Sequence, residues 1–124
     1  MCKVLIVEDE ANIRRFVATN LSVRGLTVAE AGDAEEGLRL MRQSKPEVLI
    51  LDIRLPGMSV WDLLNEMKAD ASLSSIPVIV MTASVTNVRF GESGYANVVR
   101  WLVKPVSVVE LLQAVKSACN RTEH

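Results

Sequence analysis

Leu49-Ile50-Leu51-Asp52, followed directly by Ile53-Arg54-Leu55-Pro56-Gly57, is the stretch that decides how this chain folds. A short apolar run that ends in a carboxylate and is followed at once by a turn predicts a buried parallel strand, here Val48–Asp52. Such a strand places its terminal acid at the carboxyl edge of the sheet, where open α/β sheets bind their ligands. Asp52 is therefore the first candidate functional residue.

A second strand that ends in acidic residues is predicted near the amino terminus. The apolar run Val4-Leu5-Ile6-Val7 leads directly into Glu8-Asp9-Glu10. Because parallel strands end at the same edge of a sheet, we expect Glu8, Asp9 and Asp52 to lie close together there.

Size and composition narrow the class of protein. The chain has 124 residues, of which 49% are hydrophobic and 23% charged, and its formal net charge is -1. This is typical of one soluble globular domain, and it shows no bias towards direct binding of nucleic acid or of an anionic membrane. No apolar run approaches the ~20 residues that span a bilayer. We therefore expect a single domain over residues 1–124, located in the cytoplasm.

The cysteines and the histidine exclude several kinds of chemistry. Cys2 and Cys119 are too few and too far apart in sequence for a disulfide framework or a zinc site, so we expect two free thiols in a reducing cytosol. His124 is the only histidine. Its terminal position argues against Ser-His and Cys-His nucleophilic systems.

Strand-like and helix-like segments alternate along the whole chain. Asp33 with Glu36, and Ser107 with Glu110, have the spacing of capping boxes that start helices. The predicted strands cover residues 3–7, 26–31, 48–52, 78–81 and about 100–103. The predicted helices cover residues 11–24, a segment after Asp33, a segment after Ser59, residues 86–98, and a segment after Ser107 that ends near Asn120.

The composition of the strands predicts the architecture. Val, Ile and Leu on both faces of a strand indicate a parallel sheet that is covered by helices on each side. Right-handed crossovers then limit five βα units to an α/β fold with a single, doubly wound, five-stranded parallel sheet.

Three acids on neighbouring strand ends predict a site for a divalent cation. Like charges at this distance repel unless a cation intervenes, and Mg2+ prefers oxygen ligands and needs only one or two protein carboxylates. An alternative is that Glu8 and Asp9 only stabilise the amino end of the first helix, by some 0.3–1 kcal/mol. That alternative does not explain Asp52 at the end of a separate buried strand.

Two further strand ends add a hydroxyl and an ammonium group. The fourth strand ends in Met81-Thr82-Ala83-Ser84, and the fifth ends in Val103-Lys104-Pro105. A hydroxyl, a cation and a metal around one carboxylate are what phosphoryl transfer requires, because the barrier is lowered mainly by positioning and by charge stabilisation. Aspartate can act as the nucleophile in such a transfer.

The chain resembles the receiver domains of response regulators in two-component signalling. The motifs that carry the resemblance are Val7-Glu8-Asp9-Glu10, Leu51-Asp52-Ile53-Arg54-Leu55-Pro56-Gly57-Met58, Met81-Thr82-Ala83-Ser84 and Trp101-Leu102-Val103-Lys104-Pro105. Each fragment is weak alone, but four in order make a strong signal. The resemblance implies a flavodoxin-like (βα)5 fold with strand order 2-1-3-4-5.

The resemblance also implies roles for the residues of the acidic edge. Asp52 would accept the phosphoryl group and would also bind the metal. Asp9 would bind Mg2+ directly, Glu8 would act mainly through metal-bound water, and the main-chain carbonyl of Arg54 would complete the protein ligands.

The remaining motif residues would contact the phosphoryl group or respond to it. Thr82 would donate a hydrogen bond to the phosphoryl group and Lys104 would pair with it. Trp101 stands at the position of the switch aromatic, and Pro105 would follow a cis peptide bond. Trp61 is expected to be a partly exposed surface aromatic.

The function implied is a switch controlled by phosphorylation rather than a metabolic enzyme. The donor would be a sensor histidine kinase or a phosphotransfer protein. The face formed by the predicted fourth helix, the fifth strand and the last helix would then control an effector domain or a downstream protein, or a homodimer would form. The alternatives are a Mg2+-dependent phosphohydrolase that uses Asp52 as nucleophile, and a receiver-like interaction module that is not phosphorylated.

Overall fold

The computed structural model of the chain describes residues 2–52, 59–82 and 95–122. In chain order the elements are β1 (Lys3–Val7), α1 (Ala11–Ser22), β2 (Thr27–Ala31), α2 (Ala34–Gln43), β3 (Val48–Asp52), α3 (Val60–Ala69), β4 (Val78–Thr82), β5 (Val98–Val103) and α4 (Val108–Thr122). Within these residues the strands form one parallel sheet in the order β2-β1-β3-β4-β5. The predicted doubly wound α/β fold and its strand order are confirmed.

Alternate residues of the central strands pack on opposite faces of the sheet. Val4 and Ile6 of β1 belong to a core formed with α1 and α4, whereas Leu5 and Val7 belong to a core formed with α2 and α3. All residues of β3 are buried. Because helices cover both faces, the strands consist of continuous apolar runs rather than alternating apolar and polar residues.

Polar caps start three of the four described helices where the sequence predicts them. Asp33 accepts a hydrogen bond from the N–H of Glu36 (2.8 Å), and the Glu36 carboxylate accepts one from the N–H of Gly32 (2.8 Å). Ser59 and Ser107 each accept a hydrogen bond from the N–H three residues later, at 3.1 Å and 3.0 Å. These helices therefore begin at fixed residues just beyond the carboxyl edge of the sheet.

The helix predicted over residues 86–98 is only partly covered by the structure. Residues 83–94 lie outside the described part of the chain, and so does the predicted turn at Pro56-Gly57. Within the covered part the prediction of a helix is wrong, because residues 96–97 form a turn and Val98 already belongs to β5.

A bulge explains why β5 begins earlier than predicted. Val78 pairs with Val98, but Ile79 pairs with Arg100, so the residue of β5 between these two pairs has no paired residue on β4. A bulge interrupts the alternation on which the predicted start of this strand depends.

The prediction that Cys2 and Cys119 are free thiols is wrong. The two residues form a disulfide, and their Cα atoms lie 5.9 Å apart although 117 residues separate them in sequence. α4 starts beyond the carboxyl edge of the sheet and runs back, so its last turns reach the amino edge, where Cys2 leads into β1. Disulfides typically stabilise a fold by about 2–4 kcal/mol, and more for long loops in the chain-entropy view.

The longest described helix is α4, with 15 residues. Among the residues that the structure covers, none of the helices has both the length and the apolar character that crossing a membrane requires.

Candidate functional site

The carboxyl edge of the sheet brings the three acids together. Val7 of β1 is in register with Leu51 of β3, so the residues that follow them, Glu8 and Asp52, lie at neighbouring positions of the edge. Both positions continue the row of side chains that faces α1 and α4. Carboxylate oxygens of Glu8, Asp9 and Asp52 all lie within 4.8 Å of one another.

Glu8 is held in place by its neighbours but keeps one unsatisfied oxygen. Its side chain is buried, and its N–H donates to the carbonyl of Ala31 on β2 (3.0 Å). Its Oε2 accepts a hydrogen bond from the N–H of Glu10 (3.2 Å). No donor among the described residues reaches the buried Oε1. A buried oxygen of this kind is costly unless a proton or a cation lies beside it, so the geometry favours a ligand here.

Asp52 is paired with Lys104. Asp52 is only 3% exposed, and Lys104 Nζ donates to its Oδ2 at 2.8 Å. The N–H of Lys104 donates to the carbonyl of Thr82 at 2.6 Å, which extends the pairing of β4 and β5 by one residue. The Lys104–Pro105 peptide bond is cis. The charge-assisted hydrogen bond compensates for the burial of the Asp52 carboxylate and orients one of its oxygens.

Thr82 lies at the same edge of the sheet. It is fully buried at the end of β4, one position beyond Met81, which is in register with Asp52. The structure thus places a hydroxyl, an ammonium and three carboxylates at three adjacent strand ends and the segment after β5. Arg54, the remaining predicted ligand, lies outside the described residues.

The donor set suits Mg2+. Hard divalent cations prefer carboxylate oxygens, and the three acids supply such oxygens from the ends of two adjacent strands. The Lys104 ammonium pairs with only one of the three carboxyl groups, and no donor among the described residues reaches Oε1 of Glu8. The residues present therefore fit the predicted cation.

The protonation of Glu8 makes the stability of the metal-free protein depend on pH. Burial and, next, the neighbouring Asp52 carboxyl raise the pKa of Glu8 from its ordinary 4.5 to about 8. Between these two values the folded state keeps a proton that the unfolded state has lost. The contribution of Glu8 to the free energy of unfolding is therefore complete below pH 4.5 and is lost as the pH rises towards 8.

We expect the Glu8→Gln variant to lack this decline, because the amide does not titrate. The measurement is urea unfolding of both proteins in a metal chelator, at several pH values between 4.5 and 8. Subtracting the two curves removes the contributions of the groups that do not interact with Glu8. Parallel curves for the two proteins would contradict the assignment.

Trp101 is half-buried on the sheet face that α2 and α3 cover. Its ring stacks on Trp61 of α3, with ring centroids 6.0 Å apart, and Trp61 also stacks on Tyr95 at 5.7 Å. Trp61 is therefore more than a surface aromatic, because it joins α3 to β5. Spacing along the chain gives no sign of this contact, since the three rings come from separate segments.

No sequence motif points to Arg14 or Glu30, yet the structure connects both to the site. Arg14 Nη1 donates to the main-chain carbonyl of Glu8 at 2.7 Å, and Arg14 Nε donates to Glu30 at 3.2 Å. Arg14 lies on α1, Glu30 lies on β2, and Glu8 directly follows β1. Only the fold brings them into contact.

Comparisons with known proteins identify the family. Residues 4–116 match the family described as "Response regulator receiver domain". The "Probable transcriptional regulator ycf27" of Guillardia theta is 37% identical over 126 residues, which cover 97% of this chain and 46% of that protein. The "Chemotaxis protein CheY" of Pseudomonas aeruginosa is 32% identical over 120 residues, which cover 96% of this chain and 97% of that protein.

A solved structure shows the same fold. The crystal structure of a response regulator receiver domain protein from Clostridium thermocellum has a TM-score of 0.87 and 27% identity, covering 99% of this chain and 98% of that one. The chain spans about half the length of the ycf27 relatives that it matches. Together with the fold and the acidic edge, these matches show that the chain belongs to the response regulator receiver domain family.

Proposed function

We propose that this receiver domain is a signalling switch in which Asp52 accepts a phosphoryl group in the presence of Mg2+. The observation that carries the proposal is the contact of 2.8 Å between Lys104 and a buried Asp52, within a group of three carboxylates. A carboxylate at a sheet edge with an ammonium on one side and a cation site on the other is arranged for phosphoryl transfer.

In the transfer, a carboxylate oxygen of Asp52 attacks phosphorus and forms a new P–O bond. The bond to the leaving group breaks at the same centre. It is a P–N bond when the donor is a phosphohistidine and a P–O bond when the donor is acetyl phosphate. The leaving imidazole or acetate keeps the electron pair of the broken bond. No general base is needed, because a carboxylate nucleophile has no proton to lose. The reaction therefore needs positioning and charge stabilisation more than proton transfer.

Mg2+, when bound, supplies positive charge to the phosphoryl oxygens. We assign its protein ligands to Asp9, Asp52 and the main-chain carbonyl of Arg54, with Glu8 in an outer position. The burial of Glu8 and the exposure of Asp9 support this division, because the exposed acid is the more accessible of the two.

Lys104 and Thr82 are assigned to the phosphoryl group. In the unphosphorylated protein Lys104 Nζ already lies at Asp52 Oδ2. Once a phosphoryl group is attached there, the same ammonium lies within reach of its oxygens. The Thr82 hydroxyl belongs to the neighbouring strand end and would donate the second hydrogen bond.

The new charge, roughly −1.5 to −2 near neutral pH, would favour a second arrangement of the surroundings. We place this change at Thr82, at Trp101 and on the face formed by β5 and α4. Trp101 is coupled to α3 through Trp61, so its movement would alter both elements.

A protein is a more suitable donor than a small phosphate ester. Beside Lys104, an apolar groove of about 470 Å³ runs between α1 and α4. Ile13 and Phe16 both line this groove and are 37% and 58% exposed, so the groove presents apolar surface to solvent. We therefore propose that a histidine kinase or a phosphotransfer protein docks here and brings its phosphohistidine to Asp52.

We also propose what receives the signal and where in the cell the protein is located. The longer ycf27 relatives suggest an effector domain or a downstream protein as the recipient of the signal, and a homodimer formed on phosphorylation is a further proposal. Direct binding of nucleic acid or of a membrane by this domain is not proposed. A cytoplasmic location remains a prediction, and the disulfide weighs against a strongly reducing compartment.

Acetyl phosphate tests the proposed function without a cognate kinase. We expect intact-mass measurement to show the gain of one phosphoryl group that needs Mg2+ and is prevented by a chelator. Beryllofluoride with Mg2+ should change the fluorescence of Trp61 and Trp101, the only tryptophans of the chain.

The same experiment separates the alternatives. Continuous phosphate release from several small phosphate esters would indicate a phosphohydrolase. A mass that never changes, with or without Mg2+, would indicate an interaction module that is not phosphorylated. Either result would refute the proposed switch.

A further inference from the structure

The loop between β1 and α1 carries two of the three acids, and two sets of hydrogen bonds connect it to β2. The first is a main-chain hydrogen bond from the N–H of Glu8 to the carbonyl of Ala31 (3.0 Å). The second runs through the side chain of Arg14, which lies on α1. The N–H of Glu8 is therefore fixed by the carbonyl of Ala31, and the carbonyl of Glu8 is fixed by the side chain of Arg14.

Arg14 makes two hydrogen bonds that differ in direction. Its Nη1 donates to the carbonyl oxygen of Glu8 at 2.7 Å, and its Nε donates to Oε1 of Glu30 at 3.2 Å. A planar guanidinium holds both partners at once in a fixed relative orientation, whereas a lysine ammonium is a compact charge on a flexible stem. The side chain of Arg14 is only 20% exposed, so solvent competes little for these donors.

The carbonyl that Arg14 holds belongs to the peptide bond between Glu8 and Asp9. The peptide unit is planar, so fixing this carbonyl also fixes the direction in which the chain enters Asp9. Asp9 is itself exposed, and its position depends on this peptide more than on packing.

We propose that Arg14, anchored by Glu30, is a positioning residue that sets the affinity of the acidic edge for Mg2+. The inference rests on the proposed function, because it concerns the same cation site. Arg14 acts through the Glu8–Asp9 peptide and does not itself contact the phosphoryl group or the cation.

Charge alone predicts the opposite effect. A cation beside three carboxylates competes with Mg2+, so removing the positive charge of Arg14 should tighten Mg2+ binding if only electrostatics mattered. If positioning matters more, removing Arg14 weakens Mg2+ binding. The sign of the change therefore separates the two explanations.

Arg15 provides a matched control. It is the next residue of the same helix and pairs with the other oxygen of Glu30 at 3.5 Å. Its side chain is 75% exposed, and within the described part of the chain it forms an ion pair with Glu30 alone. Like Arg14→Gln, the Arg15→Gln variant loses one positive charge and one ion pair with Glu30. It keeps the hydrogen bond from Arg14 to the Glu8 carbonyl.

The test is calorimetric titration of Mg2+ into the wild type and into Arg14→Gln, Arg14→Lys and Arg15→Gln. We expect the Kd for Mg2+ to rise about 10-fold in both Arg14 variants, the typical effect of removing a group that orients a metal ligand. Arg15→Gln should keep the wild-type Kd. Arg14→Lys keeps the charge but loses the planar fork, so it should resemble Arg14→Gln.

Kinetics with acetyl phosphate supply a second measurement. The Mg2+ concentration for half-maximal phosphorylation should rise in Arg14→Gln, while the rate at saturating Mg2+ should match that of the wild type. Glu30→Ala, which leaves Arg14 in place but removes the acceptor of its Nε–H, should raise the same half-maximal concentration, and this variant serves if Arg14→Gln folds poorly.

Three results would overturn the inference: an unchanged Kd in Arg14→Gln, a tighter Kd, or a lower rate at saturating Mg2+ with no change in the half-maximal concentration. Failure of the wild type to bind Mg2+ is distinguishable, because it would refute the proposed function and the inference together.

Discussion

In the Asp52→Asn variant, we expect no phosphoryl group to be transferred from acetyl phosphate at any Mg2+ concentration. The amide that replaces the carboxylate is not a nucleophile towards phosphorus, so the P–O bond cannot form. The variant also loses one negative charge of the cation site and the charged partner of Lys104. Asparagine has nearly the same size as aspartate, so the fold should persist. Intact mass after incubation with acetyl phosphate and Mg2+ gives the result directly.

Asp62→Asn is the matched control for this variant. Asp62 is an exposed acid in the first turn of α3, and it is not one of the three acids that lie within 4.8 Å of one another, so the same substitution there removes a charge without removing a group of the candidate site. It should be phosphorylated like the wild type. Mg2+-dependent phosphorylation that persists in Asp52→Asn would show that another residue is the acceptor.

The Lys104→Met variant should be phosphorylated about 10²-fold more slowly than the wild type, which is the typical cost of removing one group that stabilises transition-state charge. Lys104 already contacts Asp52 at 2.8 Å and is 31% exposed, so its ammonium is in place before the donor arrives. Methionine keeps most of the length of the side chain and removes the charge. The measurement is the initial rate of mass gain at saturating Mg2+.

Lys116→Met serves as the control, because Lys116 is an exposed lysine on α4 away from the strand ends. Its rate should equal that of the wild type. If Lys104→Met also reacted at the wild-type rate, the contact between Lys104 and Asp52 would have no part in the transfer.

The sheet and its acidic edge were predictable because one physical pattern determines both. Strands buried on both faces consist of continuous apolar runs, and residues 48–51 of β3 and residues 4–7 of β1 are such runs. Parallel strands end at one edge, so the acids that follow them meet without any further information. The neighbouring register of Glu8 and Asp52 is a direct consequence of the pairing of β1 with β3.

Contacts between segments that are distant in sequence and share no sequence pattern could not be predicted. The disulfide between Cys2 and Cys119 depends on where the last turns of α4 reach the sheet, and distance in sequence is a poor guide to that position. The bonds from Arg14 to Glu8 and Glu30 depend on the packing of α1 against β2. These interactions involve single side chains and leave no periodicity in the sequence.

Reduction of the acyl phosphate with borohydride, followed by peptide mass analysis, tests the role of Asp52 most directly. Borohydride converts an aspartyl phosphate into homoserine and thereby marks the residue that carried the phosphoryl group. After incubation with acetyl phosphate and Mg2+, we expect homoserine at position 52 alone, and none when a chelator is present. Homoserine at position 9, or a phosphorylated protein without any homoserine, would contradict the assignment of Asp52 as the acceptor.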